Sequence, residues 1–156
     1  MSIRQPNQRR LRLKHQGKRA VRTQFGSLCW RMRGDKLEFL LVTSRQRKRW
    51  IVPKGWPQDG ATPTEAAMTE ALEESGAKGD MAPVCLGIYS YNKYLDDGDV
   101  LPCVVAVFPL RVRKTLSEYA EKSQRRRKWF SRKKAAKVVS EPELANMILH
   151  FDPKAI

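Results

Sequence analysis

The segment from Thr62 to Gly76, TPTEAAMTEALEESG, carries a full set of helix boundary signals. Thr62 supplies a capping hydroxyl, Pro63 stands at the first helical position where its missing N–H costs nothing, and Glu65 is placed to close a capping box. Gly76 ends the run, since glycine takes the left-handed C′ conformation without strain. One helix is therefore predicted here, and the rest of the chain must cover its apolar side. At about 100° per residue, Glu70, Glu73 and Glu74 share roughly a third of the circumference. Ala67, Met68, Ala71 and Leu72 are expected on the opposite, apolar face.

Like charges at i, i+3 and i, i+4 destabilise a helix by about 0.2–0.5 kcal/mol per pair. Such acidic faces are ordinarily solvated and interleaved with lysine or arginine. This helix has neither before Lys78, although the chain's formal net charge is +15. A bound cation explains that exclusion better than solvent does. Magnesium suits such oxygen donors, because it keeps several waters and takes one or two carboxylates plus substrate phosphates.

Gly55, Glu70, Ala71, Glu73, Glu74, Gly76 and Ala77 stand at the spacing of the Nudix box. That box reads glycine, five spacers, glutamate, seven spacers, then Arg-Glu-U-x-Glu-Glu-x-Gly-U with U aliphatic, and the chain resembles the Nudix hydrolases on this ground. Ala61 replaces the first glutamate of the pattern and Thr69 the arginine that orients a neighbouring glutamate. The likeness extends over residues 22 to 150. LVTSRQRKRWIVPKGW is similar to the segment before the box in the diphosphoinositol polyphosphate phosphohydrolase branch, and RRRKWFSRKKAAKVV to that branch's late strand and helix.

The resemblance implies an α/β fold, a Nudix-type α/β/α sandwich with a mixed sheet. It implies Glu70 and Glu74 as the principal metal ligands, Glu73 as third ligand or general base with Glu70 sharing the catalytic role, and the backbone carbonyl of Lys54 as a further ligand. Phosphate binding would fall to Arg22, Ser44, Arg45 and Arg49, with Gly55 at the substrate. The cofactor expected is Mg2+, with Mn2+ as the alternative. The activity implied is hydrolysis of a phosphoanhydride bond in a highly anionic substrate: a diphosphoinositol polyphosphate, a dinucleoside polyphosphate or polyphosphate. Ala61 and Thr69 lead to an expectation of reduced activity.

Length and composition agree with a single domain. The chain has 156 residues, 41% of them hydrophobic, enough for one core. No run approaches the ~18 apolar residues of a membrane span, and the N-terminus lacks an apolar signal region, so a cytoplasmic protein without membrane contact is expected. The absence of acids from residues 1 to 34 leaves a transit peptide as the alternative. Residues 1 to 21 are basic and aperiodic, a flexible arm preceding a domain over 22 to 156. The high positive charge points to polyanions. A phosphate-rich small molecule is the first such partner. RNA, bound through the arm by a catalytically weakened Nudix-like module, is the second, and the RNA 5′ pyrophosphate would unite the two.

Alternation and turn residues predict strands over 23 to 33, 37 to 42, 50 to 52, 84 to 91, 100 to 112 and 128 to 130, and helices over 132 to 139 and 141 to 151. The apolar runs at 84 to 91 and 100 to 112 fit a sheet covered on both faces. Cys29, Cys85 and Cys103 read as reduced core residues, and His15 and His150 as incidental. Trp50 is expected in the core and Trp56 at the cleft, with Trp30 and Trp129 also in the core. Arg125 to Lys128 and Arg132 to Lys134 could form a basic rim, although alternate strand residues point to opposite faces.

Overall fold

The computed structural model describes residues 8–11 and 22–156. Its centre is β1 (Arg22–Arg33), hydrogen-bonded antiparallel to β2 (Lys36–Thr43) and parallel to β7 (Val100–Thr115). The short β3 (Trp50–Ile51) and β8 (Arg127–Ser131) extend the sheet beyond β2, while β4 (Lys54–Gly55) pairs with the start of β1. On the other side, β5 (Ala77–Met81) and β6 (Gly87–Tyr94) both run antiparallel to β7. The sheet is mixed, as expected.

Period-two alternation sorts the core into two layers. Leu28, Trp30, Phe39, Leu41, Val105 and Val107 face α2 (Arg132–Val138) and α3 (Pro142–His150), packing on Ala135, Leu144, Ile148 and Phe151. Phe25, Cys29, Leu40, Phe108 and Leu110 point the other way, toward Ala66, Ala67 and Ala71 of α1 (Pro63–Ser75). Truncating any of the fully buried leucines to alanine would cost about 2–5 kcal/mol. Helices thus cover both faces of the sheet, giving the α/β/α sandwich.

Helix α1 begins and ends as its sequence dictates. Thr62 Oγ1 accepts from the Glu65 N–H, Glu65 accepts from the Thr62 N–H, and Gly76 takes φ 71° at the C-cap. Its faces differ from expectation. Glu74 is buried (4% exposed) beside Ala67 and Ala71, whereas Met68 is 38% exposed. The small alanines bring the helix close to the sheet, and β1 answers with Ser27, whose hydroxyl donates to the Ala67 carbonyl over 2.7 Å. The apolar stripe is therefore narrow, and the glutamates flank it instead of opposing it.

Several boundaries shift. Strand β5 was not expected, because AKGDM is polar and carries a bulge between Lys78 and Gly79. The strand expected over 84 to 91 lies at Gly87–Tyr94, and its outer face is open, with Ile88 61% exposed, so this part of the sheet is covered on one side only. Cys85 falls in the loop before it and is exposed, unlike the buried Cys29 and Cys103. Trp129 is half-buried beneath the Arg31 guanidinium, not enclosed in the core. No helix among the described residues is long and apolar enough to cross a membrane.

Candidate functional site

Four segments meet around α1. Strand β4 lays Gly55 directly under Glu70, so that a Cβ at position 55 would overlap the Glu70 carboxylate. One residue earlier, the Lys54 N–H donates to Glu74 Oε2 over 3.1 Å. The loop after β7 carries Glu121, and the start of β8 is preceded by Arg125, whose Nη2 donates to Glu74 Oε1 over 3.1 Å and whose Nε donates to Glu121 Oε1 over 3.1 Å. Arg125 also donates to the Thr43 carbonyl, which fixes it against β2.

Burial pushes the Glu70 carboxyl up to about 7, and the charges of Glu73 and Glu121 act in the same direction. Burial also raises Glu74, against the pull of Arg125 and Lys54. The same burial lowers the Lys54 ammonium, with Glu74 opposing. Glu73 is exposed. Among the described residues no group of three acidic, histidine or cysteine side chains converges at ligand distance. Glu70 and Glu74 therefore form the inner pair and Glu73 stands at the rim.

The helix carries no cation of its own, and side-chain cations reach it from elsewhere in the fold. Arg125 meets Glu74, and Arg10 meets Glu65 over 2.6 Å. Thr69 bonds back to the Glu65 carbonyl and orients no glutamate. Arg125 holds Glu74 in its place. At position 61 the alanine backbone is bridged to Leu11, whose N–H donates to the Ala61 carbonyl and whose carbonyl accepts from Gly60. Residues 8–11 of the arm are thus docked on the turn before α1. The remainder of the arm, with the flexibility and RNA contacts expected of it, and His15 lie outside the described residues.

Beside this carboxylate pair lies a cavity of about 460 Å³, lined by Ser44, Arg45, Arg47, Arg49, Lys54, Tyr91, Lys93, Arg125 and Glu141 among others. Arg125 and Lys54 belong to both places and form the wall between them. The loop that carries the arginines is closed on itself: the Ser44 N–H donates to the Arg49 carbonyl over 2.7 Å, and the Arg49 N–H donates to Ser44 Oγ over 3.0 Å. Ser44 shapes the loop, and Lys48 takes φ 55° at its tip.

Ser44, Arg45 and Arg49 are thus brought together as the sequence suggested. Gly55 lies under Glu70 and is not part of the cavity wall, and neither is Arg22, which opens β1 in register with Cys103. The basic rim at 125 to 128 divides: Arg125 turns inward, Arg126 lies over Trp50, and Arg127 donates to the Ser75 and Leu116 carbonyls. Trp50 packs edge-on against Phe130, and the half-exposed Trp56 has Lys93 over its ring. Sequence reasoning missed Glu121, Lys93 and Glu141. Lys93 is carried by β6, Glu121 by the loop between β7 and β8, and Glu141 by the start of α3, so only the packing of these later elements brings them near the box.

The family model described as NUDIX domain matches residues 22–151. The chain belongs to the Nudix family. Nudix hydrolase 12, mitochondrial, of Arabidopsis thaliana is 35% identical over 104 residues, which is 65% of this chain and 51% of that protein. Diphosphoinositol polyphosphate phosphohydrolase 3-alpha of Mus musculus is 32% identical over 114 residues, 72% of this chain and 65% of that one. The matched Nudix region spans about half the length of the first relative and less than two thirds of the second. Among solved structures, the Ap4A hydrolase of C. elegans has the same fold, with TM-score 0.61 at 19% identity over 83% of this chain and 95% of that one. The Nudix box thus sits on β4 and α1 of this sheet.

Proposed function

We propose that the chain is a pyrophosphohydrolase that uses a divalent cation, Mg2+ or Mn2+, to cleave a phosphoanhydride bond in a highly anionic substrate. The carrying observation is that one wall, Arg125 and Lys54, joins a buried carboxylate pair to a strongly cationic cavity. Such a wall presents a phosphate chain to the carboxylates from one side.

The donor set fits a hard divalent ion. Glu70 and Glu74 are oxygen donors one helical turn apart, and each Glu74 oxygen accepts a single hydrogen bond while a carboxylate offers about four lone-pair sites. Burial holds both carboxyls above their ordinary range, with Glu73 and Glu121 adding to it at Glu70 and Glu70 and Glu121 at Glu74, a strain that a cation held by the pair would relieve. A cation held there supplies charge neutralisation to the phosphoryl oxygens and acidifies a bound water. Gly55 leaves room for the Glu70 carboxylate, and the Lys54 N–H and Arg125 orient that of Glu74. Glu73, exposed beside them, takes the proton of the attacking water. Arg45 and Arg49 grip the phosphates that are not cleaved, since a guanidinium fork matches phosphate oxygens.

Support for a polyphosphorylated substrate comes from the cavity's charge and from the 32% identity to a mouse diphosphoinositol polyphosphate phosphohydrolase. The test is phosphate release from a diphosphoinositol polyphosphate, a dinucleoside polyphosphate and inorganic polyphosphate, each with Mg2+ and with EDTA. Turnover of at least one that EDTA abolishes is expected. Turnover of none, or turnover indifferent to EDTA, contradicts the reading.

A further inference from the structure

Glu141 stands at the N-cap of α3, on the wall of a cavity whose lining also holds four arginines, two lysines and one other carboxylate, Asp96. It is buried, 8% exposed, yet its side chain makes no capping hydrogen bond and its Oε2 has no hydrogen-bond partner among the described residues. The helix start does not depend on it, because the bond that opens α3 runs from the Ala145 N–H to the Glu141 backbone carbonyl. Leaving a carboxylate oxygen buried and unpaired is costly, so such a group calls for a partner.

A second orphan belongs to a residue of the same lining. Arg49 Nε is buried and has no hydrogen-bond partner among the described residues. The two residues carry opposite charges and line one space, but neither these atoms nor any ion pair joins them. Lys54 is near enough for the Glu141 charge to act on it without a bond. Among the described residues that line the cavity, Arg49 Nε and Glu141 Oε2 are thus the buried polar atoms left without a hydrogen-bond partner, a donor and an acceptor. Their complement is a ligand that brings an anionic oxygen and a hydrogen-bond donor together.

From this we infer that Glu141 is a specificity-determining residue: among the proposed substrates it favours those whose phosphate chain is attached to a group bearing hydroxyl or amino donors, such as a nucleoside, over ligands phosphorylated on every side. The inference rests on the proposed function only in taking the cavity as the phosphate site. A ligand with phosphates alone satisfies Arg49 but sets an anion against Glu141 and leaves its oxygen unpaired. A sugar hydroxyl or base amino group satisfies Glu141 with a charge-assisted bond. Polar sites of this kind discriminate strongly against analogues that lack the donor.

Binding separates this inference from turnover. The full chain, with Mg2+, is titrated with a methylene-bridged nucleoside triphosphate, which carries donors and resists hydrolysis, and with inositol hexakisphosphate, which has no hydroxyl left. The readout is the ratio of the two affinities in the unaltered protein, in Glu141→Ala and in the isosteric Glu141→Gln, which covers the case in which the alanine variant fails to fold. The ratio is expected to fall toward the hexakisphosphate by about tenfold in Glu141→Ala, through the lost charged hydrogen bond and relieved repulsion, and to move the same way in Glu141→Gln. A ratio unchanged within about twofold in the folded variants, or an unaltered protein that binds neither ligand, overturns the inference. If the ratio shifts but no phosphoanhydride is hydrolysed, the proposed activity fails and the selectivity of Glu141 stands.

Discussion

Arg125 donates from Nη2 to Glu74 Oε1 over 3.1 Å, and both side chains are almost wholly buried, at 7% and 5% exposure. The same guanidinium reaches Glu121 and the Thr43 carbonyl. It therefore ties the acidic helix to β2 and to the loop after β7, and it orients the Glu74 carboxylate.

Replacing Arg125 by methionine removes one partner of a buried pair and leaves Glu74 uncompensated. A loss of about 3–5 kcal/mol is expected from such a deletion, read as a lower midpoint in urea denaturation. Arg125→Lys should recover only part of it, since an ammonium lacks the planar fork that spans Glu74 and Glu121. Equal stability of all three proteins would remove Arg125 from its positioning role.

Glu70 provides a pH test. Its carboxyl is raised to about 7 by burial and by Glu73 and Glu121, and burial raises Glu74 as well. A raised carboxyl binds more protons in the folded than in the unfolded state at intermediate pH. Without metal, stability should fall as pH rises from the ordinary carboxylate range, about 4.5, through about 7. Added Mg2+ should offset the loss most strongly above pH 7, where both carboxylates are free of protons. Thermal melts from pH 5 to 8, with and without Mg2+, measure this, and metal stabilisation that is equal at both ends would contradict it.

Gly55 is required by contact with the Glu70 carboxylate, not by an unusual backbone. A Cβ there would displace that carboxylate. Gly55→Ala should therefore lower phosphoanhydride turnover by about tenfold or more, as mispositioning at a reacting centre does, and weaken Mg2+ binding measured by calorimetry. Unaltered metal affinity would show that Glu70 does not depend on the glycine.

The three thiols should separate by reactivity. Cys29 is buried and its thiol is pushed far up by burial, Cys103 is buried and also raised, and Cys85 is exposed in a loop. Mass spectrometry after brief alkylation of the native protein should find one modified site, Cys85. Modification of Cys29 at a comparable rate would be inconsistent with its place on β1 beneath α1.

The local grammar of α1 was legible in the sequence because it depends on neighbours within a few residues: Thr62, Pro63, Glu65 and Gly76 each act where the code of caps places them. The central strands were legible for the same reason, through alternation. Strand β5 was not, since five residues with a bulge are defined by pairing to β7 and not by their own composition. The carboxylate pair could be read from the Nudix spacing, but its surroundings could not. Arg125 and Glu121 act on Glu70 and Glu74 across the fold, and Glu141 reaches the cavity only because α3 packs under β6. Ser44 shows the limit from the other side: the residue lines the cavity, yet its oxygen closes the loop on Arg49.

The most direct test of the account is Glu74→Gln, which keeps the size of the side chain and an acceptor for the Lys54 N–H while removing the charge. Its Mg2+-dependent phosphate release is expected to fall at least about a hundredfold, on the scale of losing a principal electrostatic contributor, while the circular dichroism spectrum stays that of the unaltered protein. A folded Glu74→Gln protein with undiminished Mg2+-dependent turnover would contradict it.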